Sequence, residues 1–383
     1  MAGESAARRR VLLLSASVGE GHDAAAQAVA AQLRAVGADA DLMDGLALLG
    51  PRLARFVIRG YGLQLRRAAW SWAIIYSLSR RGWVLRLAGF LLALHGGRRL
   101  LHAIELSRAD CVVSTYPLVS AALASLRRRG RLPTTCASLI TDFDPHPGWS
   151  HPDLDANLSV ACDAAVTSIA PPLRAGCAAT LSPDAARRVL GAPPDRRIVL
   201  IAGGAWGIGN LRGAARAVTS LEGFHAVVVT GRNDRLRRVL CRELAGRSAT
   251  VLGYVDGLGA LLAGADVIVQ HAGGVTCLEA FAAARPVVMF DAIAGHGRRN
   301  ASRMEAAGLA TIVGSGHALR ALLGSDAYWN AAAPAGVAAG LALFERPEAA
   351  AVLAGLARER SEPAAGSGTH RVTRPGSTRT IRA

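Results

Sequence analysis

Short apolar runs recur along this chain with helical stretches between them, and most runs break into a loop of glycine, serine or alanine. No other feature limits the possible fold as much. An unbroken apolar run such as "VLLL" is a strand buried on both faces of a sheet, and strands separated by helices pair in parallel. "VLLLSAS" opens the series, and residues 24–35 follow as a helix. "ADADLMD" (38–44), "ADCVVSTYP" (109–117), "TTCASLITDF" (134–143) and "ANLSVA" continue it. A Pro-, Ala- and Gly-rich stretch at 169–196 reads as a connection. A second series then begins with "RRIVLIAGG" and runs through "HAVVVTGRN", "ATVLGYV", "ADVIVQHAGG" and "RPVVMF". Two doubly wound halves predict an interdomain cleft with ligand loops at the strand ends. The expected units are 1–175, with a helical insertion at 52–108, and 190–345, followed by a disordered basic tail at 361–383.

Composition decides what such halves bury and bind. Of 383 residues, 51% are hydrophobic and only 19% charged, enough apolar matter for two cores. The net charge is +16, and arginine alone supplies the cations, since the chain has no lysine. An arginine-rich surface favours phosphate-bearing small molecules, anionic lipid surfaces or nucleic acid. Nucleic acid is the weakest of these. The basic residues lie in an apolar-aromatic insertion and a tail, without a nucleic-acid-binding module. Cys111, Cys136, Cys162, Cys177, Cys241 and Cys277 are scattered, with neither zinc spacing nor a disulfide framework, so free thiols in a reducing cytoplasm are expected. "RRRVLLL" is too short for a secretory signal, and "GWVLRLAGFLLALHGG" is too short to span a bilayer and carries Arg86. The insertion interleaves Arg66, Arg67, Arg80 and Arg81 with Trp70, Trp72 and Trp83, which suits a membrane interface. The expectation is a cytoplasmic protein held peripherally on the cell membrane.

Glycine-rich loops carry the chemistry. "SASVGEGHDAAAQAV" ends in His22, but it lacks the lysine of a P-loop and the spacing of a dinucleotide fingerprint. In the second half, Gly203, Gly204, Gly207 and Gly209 lie between a strand and a helix, where a backbone can approach a phosphate closely. Gly253, Tyr254 and Val255 end a strand against which a flat base can lie. In "HAGGVTCLEAF", Gly273, Gly274 and Thr276 open a helix whose amides suit a diphosphate. Glu279 sits one turn further in, placed to accept ribose hydroxyls.

These stretches, taken in order, resemble GT-B glycosyltransferases that make monogalactosyl- or glucosyl-diacylglycerol. That family is related to the peptidoglycan N-acetylglucosaminyl transferase. The resemblance covers most of residues 11–312 and includes "SVGEGHDAAAQAV", "STYPLVSAAL", "TDFDPHPGWSHPDLDANLSVA", "GGAWGIGN" and "VVVTGRND". It implies an α/β GT-B fold of two Rossmann-like domains. It also implies an inverting hexosyl transfer from a UDP-sugar, UDP-glucose or UDP-galactose, to diacylglycerol or a similar lipid. By resemblance, Gly253, Tyr254 and Val255 meet the base and Glu279 holds the ribose. Gly273, Gly274 and Thr276, with Gly203, Gly204, Arg232 and the retained Asn300, complete the donor site. Gly19, Gly21, Tyr116, Pro117, His146 and Trp149 line the acceptor side, with His151 on the same loop. His22 is the expected base, and Asp142 its orienting partner or an alternative base. No metal and no cofactor beyond the donor substrate are expected. Asp142 and Asp144 form an Asp-x-Asp, but they fall in the half without the nucleotide motifs.

Some positions depart from the family pattern. In "AGHGRRN", His296 and Gly297 stand where Gln and Glu normally touch the sugar. Val18 and Glu20 replace small residues in the first loop, and Trp206 sits inside "GGAWGIGN". Two further readings follow: a soluble natural product or cell-wall lipid as acceptor, or a non-catalytic nucleotide-sugar-binding protein at the membrane.

Overall fold

A computed structural model describes residues 8–18, 20–67, 76–161, 163–174, 177 and 181–361. Its first half runs β1 (Arg10–Ser15), α1 (Gly21–Ala35), β2 (Asp39–Asp44), α2 (Gly45–Leu49), α3 (Pro51–Arg67), α4 (Gly82–Ser107), β3 (Cys111–Ser114), α5 (Pro117–Arg128), β4 (Thr135–Ile140), β5 (Ala156–Ser159) and β6 (Thr167–Ser168). The second half runs α6 (Pro183–Val189), β7 (Arg197–Ala202), α7 (Leu211–Val218), β8 (Phe224–Val229), α8 (Asp234–Glu243), β9 (Ala249–Leu252), α9 (Leu258–Leu261), β10 (Val267–Gln270), α10 (Val275–Ala282), β11 (Val287–Phe290), α11 (His296–Ala306), β12 (Ala310–Val313), α12 (Gly316–Leu323), α13 (Ala333–Ala342) and α14 (Ala349–Ser361).

The strands form two six-stranded sheets, ordered β2-β1-β3-β4-β5-β6 and β12-β11-β10-β7-β8-β9. Every pairing is parallel. β4 is buried at all of its positions and β1 at all but the first, as strands covered by helices on both faces must be. The order places a topological switch point between β1 and β3 in the first sheet and between β7 and β10 in the second. Loops diverge at such points and leave a crevice beyond the C-terminal strand ends. The His22 loop follows β1 and the "GGAWGIGN" loop follows β7, so both glycine-rich loops sit at switch points.

Three features differ from the sequence reading. β6 and β12 are additional strands, too short or too mixed in pattern to stand out. The 169–196 connection contains a helix, α6, capped by the Ser182 hydroxyl on the Ala185 amide. The last helix, α14, returns to the first sheet. Its Ala349, Ala350 and Leu353 join Val11, Leu13, Val113 and Leu139 in one core, and Arg9 donates to the Ala354 carbonyl. The halves share a further core, where Phe143 and Val160 pack with Phe281 and Leu278. The insertion is helical as α3 and α4, while Trp70, Trp72 and the tail from 362 lie outside the described residues. Among those residues, no helix is long and apolar enough to cross a membrane. The described cysteines Cys111, Cys136, Cys177, Cys241 and Cys277 are free thiols.

Candidate functional site

α1 begins directly after the loop that leaves β1, so His22 lies in its first turn, beneath the cleft. The Tyr116 ring meets the imidazole edge-on at 5.1 Å between centroids, and Trp149 lies at 5.4 Å. The Thr115 hydroxyl donates to the His22 carbonyl at 3.2 Å. Burial pushes the imidazole down to about 4, only partly offset by its hydrogen bond to the Thr115 backbone. His22 is therefore neutral at physiological pH. Nδ1 is buried and has no hydrogen-bond partner among the described residues.

Asp142 does not take that nitrogen. Its carboxyl bonds Asn300 instead, and burial raises it to about 7, with Asp144 adding to the rise. The Thr115 backbone, not Asp142, orients His22. Asp144 is enclosed by basic groups: Arg80 at 2.9 Å, Arg303 at 3.7 Å and Arg299 at 3.9 Å, with the Tyr76 hydroxyl donating at 3.2 Å. A carboxylate committed to arginines in this way is a poor member of a metal pair. Among the described residues, no group of three His, Cys, Asp or Glu side chains could hold a metal ion.

Asn300 is a joint between the halves. It is 1% exposed, accepts from the Asp144 amide at 3.0 Å, and donates to the Gly273 carbonyl at 3.0 Å. It thereby ties the loop after β4 to the loop that opens α10. His146 is likewise structural. Its Nδ1 accepts from the Gly148 amide at 2.9 Å, so Nε2 carries the proton and donates to the Ser79 hydroxyl at 3.1 Å. His151 Nε2 bonds the Gly148 carbonyl at 3.0 Å. His151 holds its own loop together, and His146, expected to face the acceptor, ties that loop to the segment carrying Ser79. Pro117 starts α5, where its missing amide costs nothing.

Between the halves, beside the first turn of α1, lies a cavity of about 290 Å³ lined on that side by Glu20, Gly21 and Ala24. Gly274 and Thr276 open α10 on its floor. Glu279, 7% exposed, lines it one turn further in, beside Arg174 and within 3.5 Å of the Cys177 thiol. Burial raises the Glu279 carboxyl. Gly273 has φ +69°, which turns the chain from β10 into α10. Gly203, Gly204 and Val255 line the cavity, while Gly253 packs near Arg237 outside it. Gly21 touches Val275: a Cβ on Gly21 would lie 3.3 Å from the valine side chain, so the N-termini of α1 and α10 face each other closely. Gly19 lies outside the described residues. Arg174 lines this cavity, Cys177 bonds Glu279 from beside it, and Gln270 lines it too, and the sequence singled out none of them for the site. The first two sit in an irregular connection and the third ends a strand, and none carries a motif. Trp206 crosses from its glycine loop to pack on the core of the first half.

Two family models match the chain. Residues 22–170 match monogalactosyldiacylglycerol (MGDG) synthase, and residues 198–319 match the glycosyltransferase family 28 C-terminal domain. A processive diacylglycerol beta-glucosyltransferase of Bacillus cereus (strain G9842) is 25% identical over 235 residues, 57% of this chain and 60% of that protein. The protein of the same name from Bacillus cytotoxicus is 24% identical over 234 residues, with the same coverage. The chain thus spans about 60% of the length of the curated relatives it matches. Among solved structures, spinosyn rhamnosyltransferase SpnG complexed with thymidine diphosphate superposes with a TM-score of 0.61 at 16% identity, covering 91% of this chain and 99% of that one. Acinetobacter baumannii MurG superposes with a TM-score of 0.56 at 13% identity, covering 92% and 99%. At such identities the likeness establishes the fold.

Proposed function

We propose, from the premise that the chain belongs to the GT-B glycosyltransferases whose family models match its two halves, that it transfers a hexose from a UDP-sugar to diacylglycerol or a similar lipid at a membrane surface. One observation carries this reading. The first turn of α1, which carries a neutral histidine, meets across one cleft the N-terminus of a helix that suits a diphosphate.

In the reaction, His22 accepts the acceptor hydroxyl proton while the oxygen attacks the anomeric carbon. The bond to UDP breaks on the opposite face, inverting the centre. The charge that develops on the diphosphate is met by the first amides of α10. Glu279 holds the ribose, Gly273, Gly274 and Thr276 hold the phosphates, and Trp149 and Tyr116 wall the acceptor side. Asn300 serves by holding the two loops in register. His296 lines the sugar end of the cavity, so the choice between glucose and galactose rests there.

The surface supports action on a membrane. Along α4, Trp83, Leu87, Phe90, Leu91 and Leu94 recur at helical spacing and are exposed, the first by 65%. Phe56 of α3 is 75% exposed beside Arg52, Arg55 and Arg59. Apolar groups flanked by arginines suit an anionic lipid interface.

The test is a donor and acceptor screen. Protein is incubated with anionic vesicles containing diacylglycerol and either UDP-glucose or UDP-galactose, and lipids are read by mass spectrometry. A hexosyl-diacylglycerol is expected. UDP binding with no glycolipid from either donor would instead support the non-catalytic reading.

A further inference from the structure

Glu20 sits inside the cleft and is taken up by the wrong side of it. It immediately precedes α1, yet its side chain makes no hydrogen bond to that helix. It crosses to the second half instead. One carboxylate oxygen lies 2.6 Å from the Arg232 guanidinium, and the other accepts from the Tyr254 hydroxyl at 2.9 Å. Arg232 in turn stacks 4.0 Å above the Tyr254 ring. Three loops, following β1, β8 and β9, therefore meet in one bridge at the rim of the donor cavity. The bridge covers a face of Tyr254, against which a base was expected to lie. The enclosed volume of about 290 Å³ is at the small end for a ligand site.

A nucleoside diphosphate brings two or more negative charges into this space. A carboxylate already there repels it, and the arginine that would attract it is occupied. Resting on the donor reading above, we propose that Glu20 is an internal competitor of the donor. Its carboxylate holds Arg232 while the cavity is empty and yields it to the diphosphate, so that donor entry breaks the bridge between the halves. Glu20 is in this sense a positioning residue that sets donor affinity, separate from His22 and Asp142.

The groups involved are half-exposed, with Arg232 at 54% and Glu20 at 36%, so substitutions here should leave the fold intact, which a thermal melt checks. The experiment titrates UDP into the full chain, its Glu20→Gln and Arg232→Ala variants, and the double variant. Glu20→Gln is expected to bind UDP about fivefold more tightly at low salt, the upper range for an exposed ion pair. The gain should fall below about twofold in 1 M NaCl, where the Debye length is about 3 Å. It should vanish in the Arg232→Ala background. Equal or weaker UDP binding by Glu20→Gln would overturn the proposal, as would a gain that persists without Arg232. Failure of every variant, wild type included, to bind UDP would overturn the donor reading and the competitor together. Wild-type binding that Glu20→Gln leaves unmoved would overturn the competitor alone.

Discussion

At the residue scale, burial shifts two titrating groups of the first half, His22 and Asp142, in opposite senses. His22 is held near 4 and stays neutral, while Asp142 is raised to about 7. Replacing His22 by Ala should lower turnover by about 10²–10⁴-fold, the usual share of a general base, and leave UDP titration nearly unchanged. The pH profile of kcat/KM distinguishes the two groups. With His22 as base the acid limb falls below about pH 5, whereas a limb near 7 would assign the proton to Asp142. The same shifts enter stability. Asp142 binds its proton more tightly when folded, so between about pH 4 and 7 its contribution to stability is lost as pH rises. Asp142→Asn should therefore stabilise the chain by a few kcal/mol at pH 8, and by little at pH 4. Urea unfolding at the two pH values measures this. Two Asp residues separated by one position in the sequence looked alike, and only their surroundings separate them: Asp144 is answered by arginines and Asp142 is not.

At the scale of elements, α10 shows how two neighbouring glycines differ. Gly273 has φ +69°, and a Cβ there would lie 3.2 Å from Asn300 and 3.3 Å from the Met304 sulfur. Gly273→Ala should cost about 1–2 kcal/mol of stability, since the left-handed region penalises any Cβ. Gly274 has φ −122°, and a Cβ there meets nothing within 4 Å. Gly274→Ala should melt like the wild type, yet under the proposed function its methyl group enters the space of the diphosphate, so UDP affinity should fall by about tenfold. Thermal melts paired with UDP titrations separate the two effects. The glycine pair was legible in the sequence as the turn from a strand into a helix. Which of its members shapes the chain and which leaves room for a ligand was not, because that depends on the backbone angle and on α11 packing behind it.

At the scale of the molecule, the exposed stripe on α4 gives the chain a second surface besides the cleft. α4 is held against the fold by close approach at two glycines. A Cβ on Gly89 would lie 2.5 Å from the Ala121 carbonyl oxygen, and one on Gly96 would lie 2.2 Å from that of Leu49. One face of the helix is thereby fixed inward, and Trp83, Leu87, Leu91 and Leu94 are left outward. Changing these four to Ser should abolish flotation with anionic vesicles, since each buried apolar side chain contributes about 1.5–3 kcal/mol, while UDP binding persists. Retained flotation would mean that arginines alone hold the surface.

The sequence by itself determined the two parallel sheets, their loops and the glycine-opened helix α10, because apolar period and glycine placement act locally. It also marked His22, Glu20 and Asn300 as residues of interest. Only the tertiary structure decided what those residues touch. Asn300, expected at the donor, joins the two halves, and His146, expected at the acceptor, ties its loop to the segment carrying Ser79. Glu20 reaches residues more than two hundred positions away. Burial, hydrogen-bond partners and charge balance are properties of the assembled cleft, and no local pattern encodes them.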